Sequence, residues 1–282
     1  MHKIQITCDS ACDLSPELYE KYHIEAVPMG ISLGDDFGLD GVDYTTADIF
    51  DFVSRTGQLP KTSAVPVGQY MDVFGKYTEQ GIRVIHISLS SELSSSYQNA
   101  CIAAQSMENV AVIDSRNLSS GAGHLALLAA ELAESGKAAE EITAILEEKK
   151  QKLDVSFVLQ TLDYLHKGGR CSGVAAFGAN LMKLRPEIEV TDGKMGVGKK
   201  YRGDLEKSVT AYIKGRLEGR TDVDLHRIFL THSGVTQEAE DKMIALVKSL
   251  QPFDEVLVTT AGCTISCHCG PNCLGVLFFT KD

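Results

Sequence analysis

The amino-acid sequence predicts an α/β protein of two domains, and three observations support this class. Short β-branched runs alternate with amphipathic segments through the first half, which predicts a three-layer N-terminal α/β domain with a mainly parallel sheet. In the second half an Asp-Gly turn joins two strand-like segments, which predicts a hairpin and a mixed sheet in a C-terminal α/β domain. The chain of 282 residues is long enough for two domains. We place them at residues 1–152 and 153–282.

Each element of the first half has a local signal. Ser15 followed by Pro16 supplies an N-cap and a proline at the first helical position, so a helix is predicted through Tyr22. Alternation or β-branched runs predict strands, and apolar faces closed by Gly57 and Gly81 predict two further helices. The strands are placed at residues 3–7, 27–33, 83–89 and 110–113, and the two helices at 46–55 and 67–80.

The second half predicts a different arrangement of elements. Asp192-Gly193 marks the turn of the hairpin, and a glycine-rich break at residues 168–170 precedes it. Helices are expected at 139–152, 162–166, 204–217 and 237–250, and strands at 155–160, 187–190, 195–201, 227–231, 255–259 and 274–279.

Composition excludes several classes of function. Lys plus Arg (27) minus Asp plus Glu (38) gives a net charge of −11, which argues against a nucleic-acid-binding face. The longest apolar stretch, at residues 125–132, is much shorter than a membrane span, and the N-terminus has no signal-peptide pattern. We therefore expect a cytoplasmic protein without stable membrane insertion, with at most transient contact with a membrane surface.

Two motifs suggest chemistry that their context does not support. Cys263, Cys267, Cys269 and Cys273 crowd around His268, but this spacing differs from the paired knuckles of structural zinc sites, so free thiols and no metal are predicted. The run from residue 193 to 199 fits most of a phosphate loop. It lies on the predicted hairpin, however, and Lys200 stands where Ser or Thr would hold magnesium.

Hydroxyl-rich turns are the strongest indication of a binding site. They occupy residues 9–14, 90–98 and 114–123, each after a predicted strand. Ligands of open α/β sheets bind at the carboxyl ends of the strands, where helix N-termini also favour anions. Together with Thr62 and Ser63, these turns predict a site for a small anionic group.

Six ordered motifs resemble the DegV family of fatty-acid-binding proteins, from about residue 4 to residue 279. They are Asp9-Ser-x-x-Asp13-Leu14, Thr62-Ser63, Ser90-Ser-x-Leu93-Ser94-x-x-Tyr97-Gln98, Val112-Ile113-Asp114-Ser115, Thr161-Leu162-x-Tyr164-Leu165-x-x-Gly168-Gly169-Arg170 and His268-x-Gly270-Pro271. The resemblance implies a two-domain fold in which a long-chain fatty acid lies between the domains. It also implies a separate fatty acid kinase subunit that uses ATP to convert the presented acid into an acyl phosphate. This chain would then not be an enzyme by itself, and no cofactor is expected.

The resemblance also implies the residues of the site. The carboxylate would be held by Thr62, Ser63, Ser94 and the amide of Ser95. Two further residues, Arg170 and His268, would lie near the carboxylate and support phosphoryl transfer. His268 itself is expected in a tight turn. Two positions depart from the family pattern: Ala64-Val65-Pro66 replaces the common Gln-Pro, and Ser95 replaces a glycine.

Two alternative functions use the same residues. Ser94 could be the nucleophile of an acyl hydrolase or transferase with His268 as base, although the flanking glycines of a nucleophile elbow are missing. The protein could also carry another lipophilic carboxylate, such as a bile acid or retinoid.

Overall fold

The computed structural model describes residues 4–171 and 184–281 and contains alternating strands and helices. The strands are β1 (Ile4–Asp9), β2 (Glu25–Val27), β3 (Gly30–Leu33), β4 (Asp36–Leu39), β5 (Lys61–Ser63), β6 (Arg83–Ser88), β7 (Val110–Asp114), β8 (Leu153–Val158), β9 (Leu184–Thr191), β10 (Lys194–Arg202), β11 (Val223–His232), β12 (Glu255–Thr260) and β13 (Leu274–Thr280). The helices are α1 (Pro16–Lys21), α2 (Thr46–Thr56), α3 (Val67–Thr78), α4 (Ser96–Gln105), α5 (Ser119–Glu134), α6 (Ala139–Lys149), α7 (Asp163–Gly168), α8 (Leu205–Leu217), α9 (Gln237–Leu250) and α10 (Cys263–Cys269).

The two predicted sheets are confirmed. The N-terminal domain has a parallel sheet in the order β2-β1-β6-β7. The C-terminal domain has a mixed sheet in the order β10-β9-β8-β13-β11-β12, in which β11 and β12 are parallel and the other neighbours are antiparallel. The hairpin turn has positive φ at Asp192 (49°) and Gly193 (78°), the conformation that an Asp-Gly type I′ turn requires. The exact division at residue 152 stays a prediction.

The predicted single strand at residues 27–33 is wrong, because the chain divides at Pro28. Val27 ends β2 in the parallel sheet, whereas Gly30 begins β3 in a separate three-stranded sheet of order β4-β3-β5. Pro28 has no N–H to donate to a ladder, and the following amide of Met29 donates to Ser10 Oγ at 3.1 Å. The small sheet matters for the site because β5 carries Thr62.

The tight turn expected around His268 is also wrong, because His268 lies within helix α10. Two aspartate side chains from the N-terminal domain bind the first amides of this helix. Asp40 accepts from Cys263 N–H at 2.9 Å and from Thr264 N–H at 3.2 Å, and Asp13 accepts from Gly262 N–H at 2.9 Å. Acceptors at a helix N-terminus stabilise it by satisfying free N–H groups and by opposing the helix dipole. The helix of one domain is therefore fixed by the other.

The four clustered thiols are divided between two packing regions. Cys263 and Cys267 pack against Ile31 and Ile49 beneath the small sheet, whereas Cys269 and Cys273 belong to the main core. Within residues 4–171 and 184–281, no three His, Cys, Asp or Glu side chains are placed to hold a metal ion. Over the same residues, none of the helices has the length and apolar character needed to cross a membrane.

The two domains share one apolar core, centred on the buried helix α5. At its start, Ser120 Oγ lies 3.1 Å from Thr259 Oγ1 of β12, and one turn later His124 Nε2 lies 3.1 Å from the carbonyl oxygen of Leu277. The C-terminal hairpin adds a polar contact, since Ser90 Oγ donates to the carbonyl of Gly193 at 2.9 Å. These bonds fix the relative position of the walls of the site.

The carboxyl of Asp13 is expected to make stability depend on pH. Burial raises its pKa to about 8, against the lowering effect of hydrogen bonds from Ser119 and Gly262, and the neighbouring Asp40 raises it further. Between about pH 4 and pH 8 the folded protein therefore keeps a proton on Asp13 that the unfolded chain has already released. Stability therefore falls as pH rises through this window, by up to about 1.4 kcal/mol per pH unit, and levels off above it.

We predict that Asp13→Asn removes this dependence, because the amide keeps an acceptor for Gly262 but does not titrate. Urea unfolding at pH 5, 6, 7 and 8 should show the free energy of unfolding of the wild type falling relative to that of the variant. The matched control is Asp72→Asn, at an exposed position of α3. Parallel profiles for the wild type and Asp13→Asn would contradict the assignment.

Candidate functional site

A cavity lies between the domains and has a polar end formed by side chains from distant parts of the chain. Thr62 and Ser94 come from the N-terminal domain. Arg170 follows the end of α7, and His268 lies in α10. Most of the remaining wall is apolar and includes Met29, Leu89, Leu93, Leu165, Met195 and Ile265. Four of the six residues that the resemblance implies therefore meet at one cavity.

The side chains of Ser63 and Ser95 do not line this cavity. Successive side chains of a strand point to opposite faces, so Ser63 points away from Thr62, toward Gly30: a Cβ added there would lie 2.2 Å from Ser63 Oγ. Ser95 is exposed at the N-cap of α4. A role for either residue stays a prediction that would have to use the main chain.

His268 is a neutral side chain held by Thr62. Its Nε2 lies 2.9 Å from Thr62 Oγ1. Burial lowers the pKa of His268 to about 4, and the charge of Arg170 lowers it further. An imidazole with this pKa is uncharged at pH 7, so His268 adds no positive potential to the cavity at that pH. The positive charge at this end of the cavity comes from Arg170.

The surroundings of His268 favour one tautomer. Nδ1 has no hydrogen-bond partner among the described residues, and it lies so close to Gly168 that a Cβ there would come within 2.4 Å. An N–H without an acceptor is rarely tolerated in an interior, so we assign the proton to Nε2, which donates to Thr62 Oγ1. The hydroxyl proton of Thr62 is then free to point into the cavity. The same contact explains why the residue at position 168 is a glycine.

Ser94 is arranged in a similar way. Its Oγ accepts from the N–H of Ser96 at 3.2 Å and lies 3.0 Å from Ser96 Oγ. Ser96 Oγ in turn accepts from the N–H of Val65 at 3.3 Å. When the hydroxyl of Ser96 donates to Ser94 Oγ, the hydroxyl proton of Ser94 is free to bind a group in the cavity. Thr62 and Ser94 are thus two neutral donors, which suit a carboxylate because it only accepts.

A buried polar cluster beneath the cavity holds the loop that carries Ser94. Asp9 accepts from the N–H of Leu89 at 2.7 Å and from Ser88 Oγ at 2.8 Å, and the hydroxyl of Tyr70 donates to its other oxygen. Burial raises the pKa of Asp9, but bonds and charge from His86 and Tyr70 outweigh it, so the pKa lies below its ordinary value. Sequence analysis placed Asp9 in a ligand-binding turn, whereas in the structure it supports that turn.

Most serines of the predicted hydroxyl-rich turns are used inside the protein. Five of their hydroxyls donate to neighbouring protein oxygens. Ser10 donates to Asp40 at 3.0 Å, Ser90 to the carbonyl of Gly193 at 2.9 Å, Ser91 to Asp114 at 2.6 Å, Ser115 to the carbonyl of Asn117 at 3.1 Å and Ser119 to Asp13 at 2.5 Å. Four of these bonds lie within the N-terminal domain, and the bond of Ser90 crosses to the C-terminal hairpin, so these serines stabilise the protein itself.

Arg170 lies at the solvent side of the polar end. It follows α7, its side chain is exposed, and its guanidinium donates to the carbonyl of Gly168 at 2.7 Å. Because it keeps contact with water, its charge requires no buried counterion. The cavity thus has neutral donors inside and a cation at its edge.

A second, smaller cavity lies beside the apolar side of the first. Leu118, Ile265 and Cys269 line both cavities, so the two share a wall. The second is lined mainly by core side chains, among them Val155, Phe157, Ala261, Cys273 and Leu277. Sequence analysis could not name these residues, because apolar periodicity is the same for a core and for a lined tunnel. The site therefore has a polar end and an apolar extension.

The fold and the site define a two-domain α/β protein whose cavity has hydroxyl donors at one end and apolar walls elsewhere. The chain belongs to the DegV family: a family model described as "Uncharacterised protein, DegV family" matches residues 3–281. It is 33% identical to a DegV domain-containing protein of Clostridium perfringens, with full coverage of both chains. It is 30% identical to a fatty acid-binding protein of Thermotoga maritima, over 97% of this chain and 96% of the relative. A fatty-acid-binding DegV family protein from Thermus thermophilus has a similar structure, with a TM-score of 0.87, 29% identity and 99% coverage of both chains.

We predict that His268 is neutral over the physiological pH range. In a protein with ¹⁵N-labelled histidine, its ring should keep the Nε2–H signature down to about pH 5 and titrate near pH 4. Arg170→Gln should raise this pKa, yet leave it below the ordinary value of about 6.5, because burial is the larger cause. The exposed His226 supplies an internal reference in the same spectra. An imidazolium signal from His268 at pH 7 would contradict the assignment.

Proposed function

We propose that this chain is a cytoplasmic protein that binds a long-chain fatty acid between its domains and presents it to a separate ATP-dependent fatty acid kinase. The observation that carries the proposal is the pairing of hydroxyl donors with an apolar extension. Thr62 and Ser94 lie at one end of the cavity, and Leu118, Ile265 and Cys269 lead from it into the second cavity. The fatty acid is the only ligand that we propose, and no cofactor enters.

The carboxylate is proposed to lie among Thr62, Ser94 and His268, with Arg170 at the edge. Each hydrogen bond to a charged group contributes about 1.5–3 kcal/mol net. Two hydroxyl bonds therefore fix the orientation of the ligand and contribute a modest part of the affinity. His268 acts by orienting the hydroxyl of Thr62 and not by charge, since burial keeps it neutral.

The tail is proposed to enter the second cavity past Leu118, Ile265 and Cys269. A sixteen-carbon acid buries about fifteen methylenes at roughly 0.8 kcal/mol each, or about 12 kcal/mol before the cost of ordering the chain. The tail thus supplies most of the affinity. The names of the Thermotoga maritima relative and of the Thermus thermophilus structure, which mention fatty acids, support this ligand class for the present chain.

The kinase partner is proposed from the family resemblance and from the position of Arg170. Acyl phosphate formation requires the carboxylate oxygen to attack the γ-phosphorus of ATP, and a cation next to the carboxylate offsets the charge of the transferring group. Arg170 is exposed beside the proposed carboxylate position and can face a bound partner. The phosphate-loop-like run lies on the β9–β10 hairpin, so we assign ATP to the partner.

The serine-enzyme alternative has less support from the geometry. A nucleophile and its base should lie within hydrogen-bond reach of each other. Among the described residues His268 Nε2 is bonded to Thr62, and Ser94 is bonded to Ser96. Labelling of Ser94 by an activated-serine probe, abolished by His268→Ala, would favour the enzyme over the binding protein.

We predict that the protein binds a fatty acid in about one-to-one amount. Native mass spectrometry of the purified chain, followed by denaturation and identification of the released molecule, tests this directly and reports chain length and saturation. A chain without ligand that also fails to bind added palmitate and oleate would contradict the proposal. Release of a bile acid or retinoid would instead support the carrier alternative.

The same assay separates the head-group residues. Thr62→Val and Ser94→Ala should each weaken palmitate binding by about 1–3 kcal/mol, because each leaves the carboxylate with one donor fewer. Ser95→Ala is the matched control, since its exposed side chain does not line the cavity. An equal loss in all three variants would contradict the proposed carboxylate position.

We predict that Arg170→Gln reduces kinase-dependent acyl phosphate formation more than it reduces palmitate binding. The reason is that Arg170 lies at the edge of the cavity, whereas Thr62 and Ser94 hold the ligand. Lys167→Gln is the matched control, because Lys167 is an exposed cation of α7 that does not line the cavity. The measurement is acyl phosphate formed with a bacterial fatty acid kinase, together with the palmitate Kd. Loss of binding equal to loss of phosphorylation would place Arg170 among the affinity determinants.

A further inference from the structure

Thr264 lies in the wall of the head-group cavity, and no role follows for it from the motifs of the sequence. It is the second residue of α10, one helical turn before His268, and its side chain is buried, with 3% of its surface exposed. Its main-chain N–H is bonded to Asp40 at 3.2 Å. The main chain of Thr264 is thus satisfied by the protein, and the hydroxyl is the group to explain.

The hydroxyl of Thr264 has no hydrogen-bond partner among the described residues. The other five hydroxyl side chains that line the two cavities all have one. Thr62 is bonded to His268, Ser94 to Ser96, Ser119 to Asp13, Ser156 to Tyr212 and Thr231 to Ser120 and Thr259. A buried hydroxyl without a partner destabilises the folded state, so a partner supplied by a ligand would restore the lost interaction.

The helix itself cannot satisfy this hydroxyl in the usual way. A threonine inside a helix often donates to the carbonyl four residues earlier. For Thr264 that residue is Thr260, which ends strand β12 before the helix begins. Within residues 4–171 and 184–281 the hydroxyl of Thr264 thus stays unpaired, and its side chain lies in the wall of the cavity, where a ligand group could pair with it.

We propose that Thr264 recognises a hydroxyl group on the acyl chain, a few carbons from the carboxylate, so that the preferred ligand is a hydroxylated fatty acid. This inference rests on the proposed fatty-acid function. Thr264 lies about 6 Å along the axis of α10 from His268. Because the carboxylate is proposed to lie at His268, this distance corresponds to the first few carbons of the acyl chain. A ligand hydroxyl both donates and accepts, as threonine does. A second carboxylate would be disfavoured here by Asp40, which accepts from the amide of Thr264.

The test compares hexadecanoic acid with 3-hydroxyhexadecanoic acid, each titrated into wild type, Thr264→Val and Thr264→Ser. Wild type should bind the hydroxy acid roughly three- to tenfold more tightly, as expected for one added hydrogen bond. Thr264→Val should abolish this preference while binding hexadecanoic acid at least as well as wild type. Thr264→Ser keeps a hydroxyl and should restore the preference. Unfolding midpoints establish that each variant is folded, and Thr264→Ala replaces Thr264→Val if the latter is not.

The matched control is Thr231→Val. Thr231 lines the second cavity, but its hydroxyl is already paired within the protein. Removal of this hydroxyl should therefore leave the ratio of the two affinities unchanged. Equal binding of both acids by wild type would overturn this inference alone, as would an equal loss for both acids in Thr264→Val. Absence of binding of both acids to wild type would overturn the proposed function, and this inference with it.

Discussion

The site depends on two aspartate side chains of the N-terminal domain that hold the first turn of a helix of the C-terminal domain. Asp13 and Asp40 bind three consecutive amides, from Gly262 to Thr264, and Gly262 approaches Asp13 so closely that a Cβ would lie 3.1 Å from its oxygen. Helix α10 carries Thr264, Ile265 and His268 into the cavity. A change in the relative position of the domains would therefore move the whole inner wall of the site.

Burial determines how the proposed site would attract a carboxylate. A charged imidazole next to a carboxylate would have to be removed from water together with it, and desolvation of both ions offsets much of their attraction. In this cavity burial keeps His268 neutral, and its proton orients the hydroxyl of Thr62. The inner donors are therefore neutral groups whose directions are fixed by bonds to other protein groups. Directed donors suit a carboxylate because they are already oriented before the ligand arrives.

Local strand patterns predicted the two sheets, and the family resemblance carried by ordered motifs implied six site residues, four of which line the cavity. Sequence reasoning placed His268 in a turn because the capping acceptors of α10 come from Asp13 and Asp40, more than two hundred residues away along the chain. A short stretch of sequence contains no signal for caps that come from so far along the chain. The wall of the second cavity could not be predicted from the sequence either, because Val155, Phe157 and Leu277 have the pattern of ordinary core residues. Thr264 gave no signal because a single threonine is unremarkable until its surroundings are known.

The proposed arrangement separates retention of a ligand from chemistry at its head group. An apolar tail contributes in proportion to the area that it buries, so in this proposal the cavity lined by core residues would determine how long a ligand stays. The proposed carboxylate position lies at the other end, where Arg170 remains in contact with solvent. In the proposed complex, a partner that approaches Arg170 would reach the carboxylate while the tail remains buried. Because the neutral donors lie inside and the cation lies at the edge, the negative charge that develops during the proposed phosphoryl transfer would be met at the surface, next to that partner.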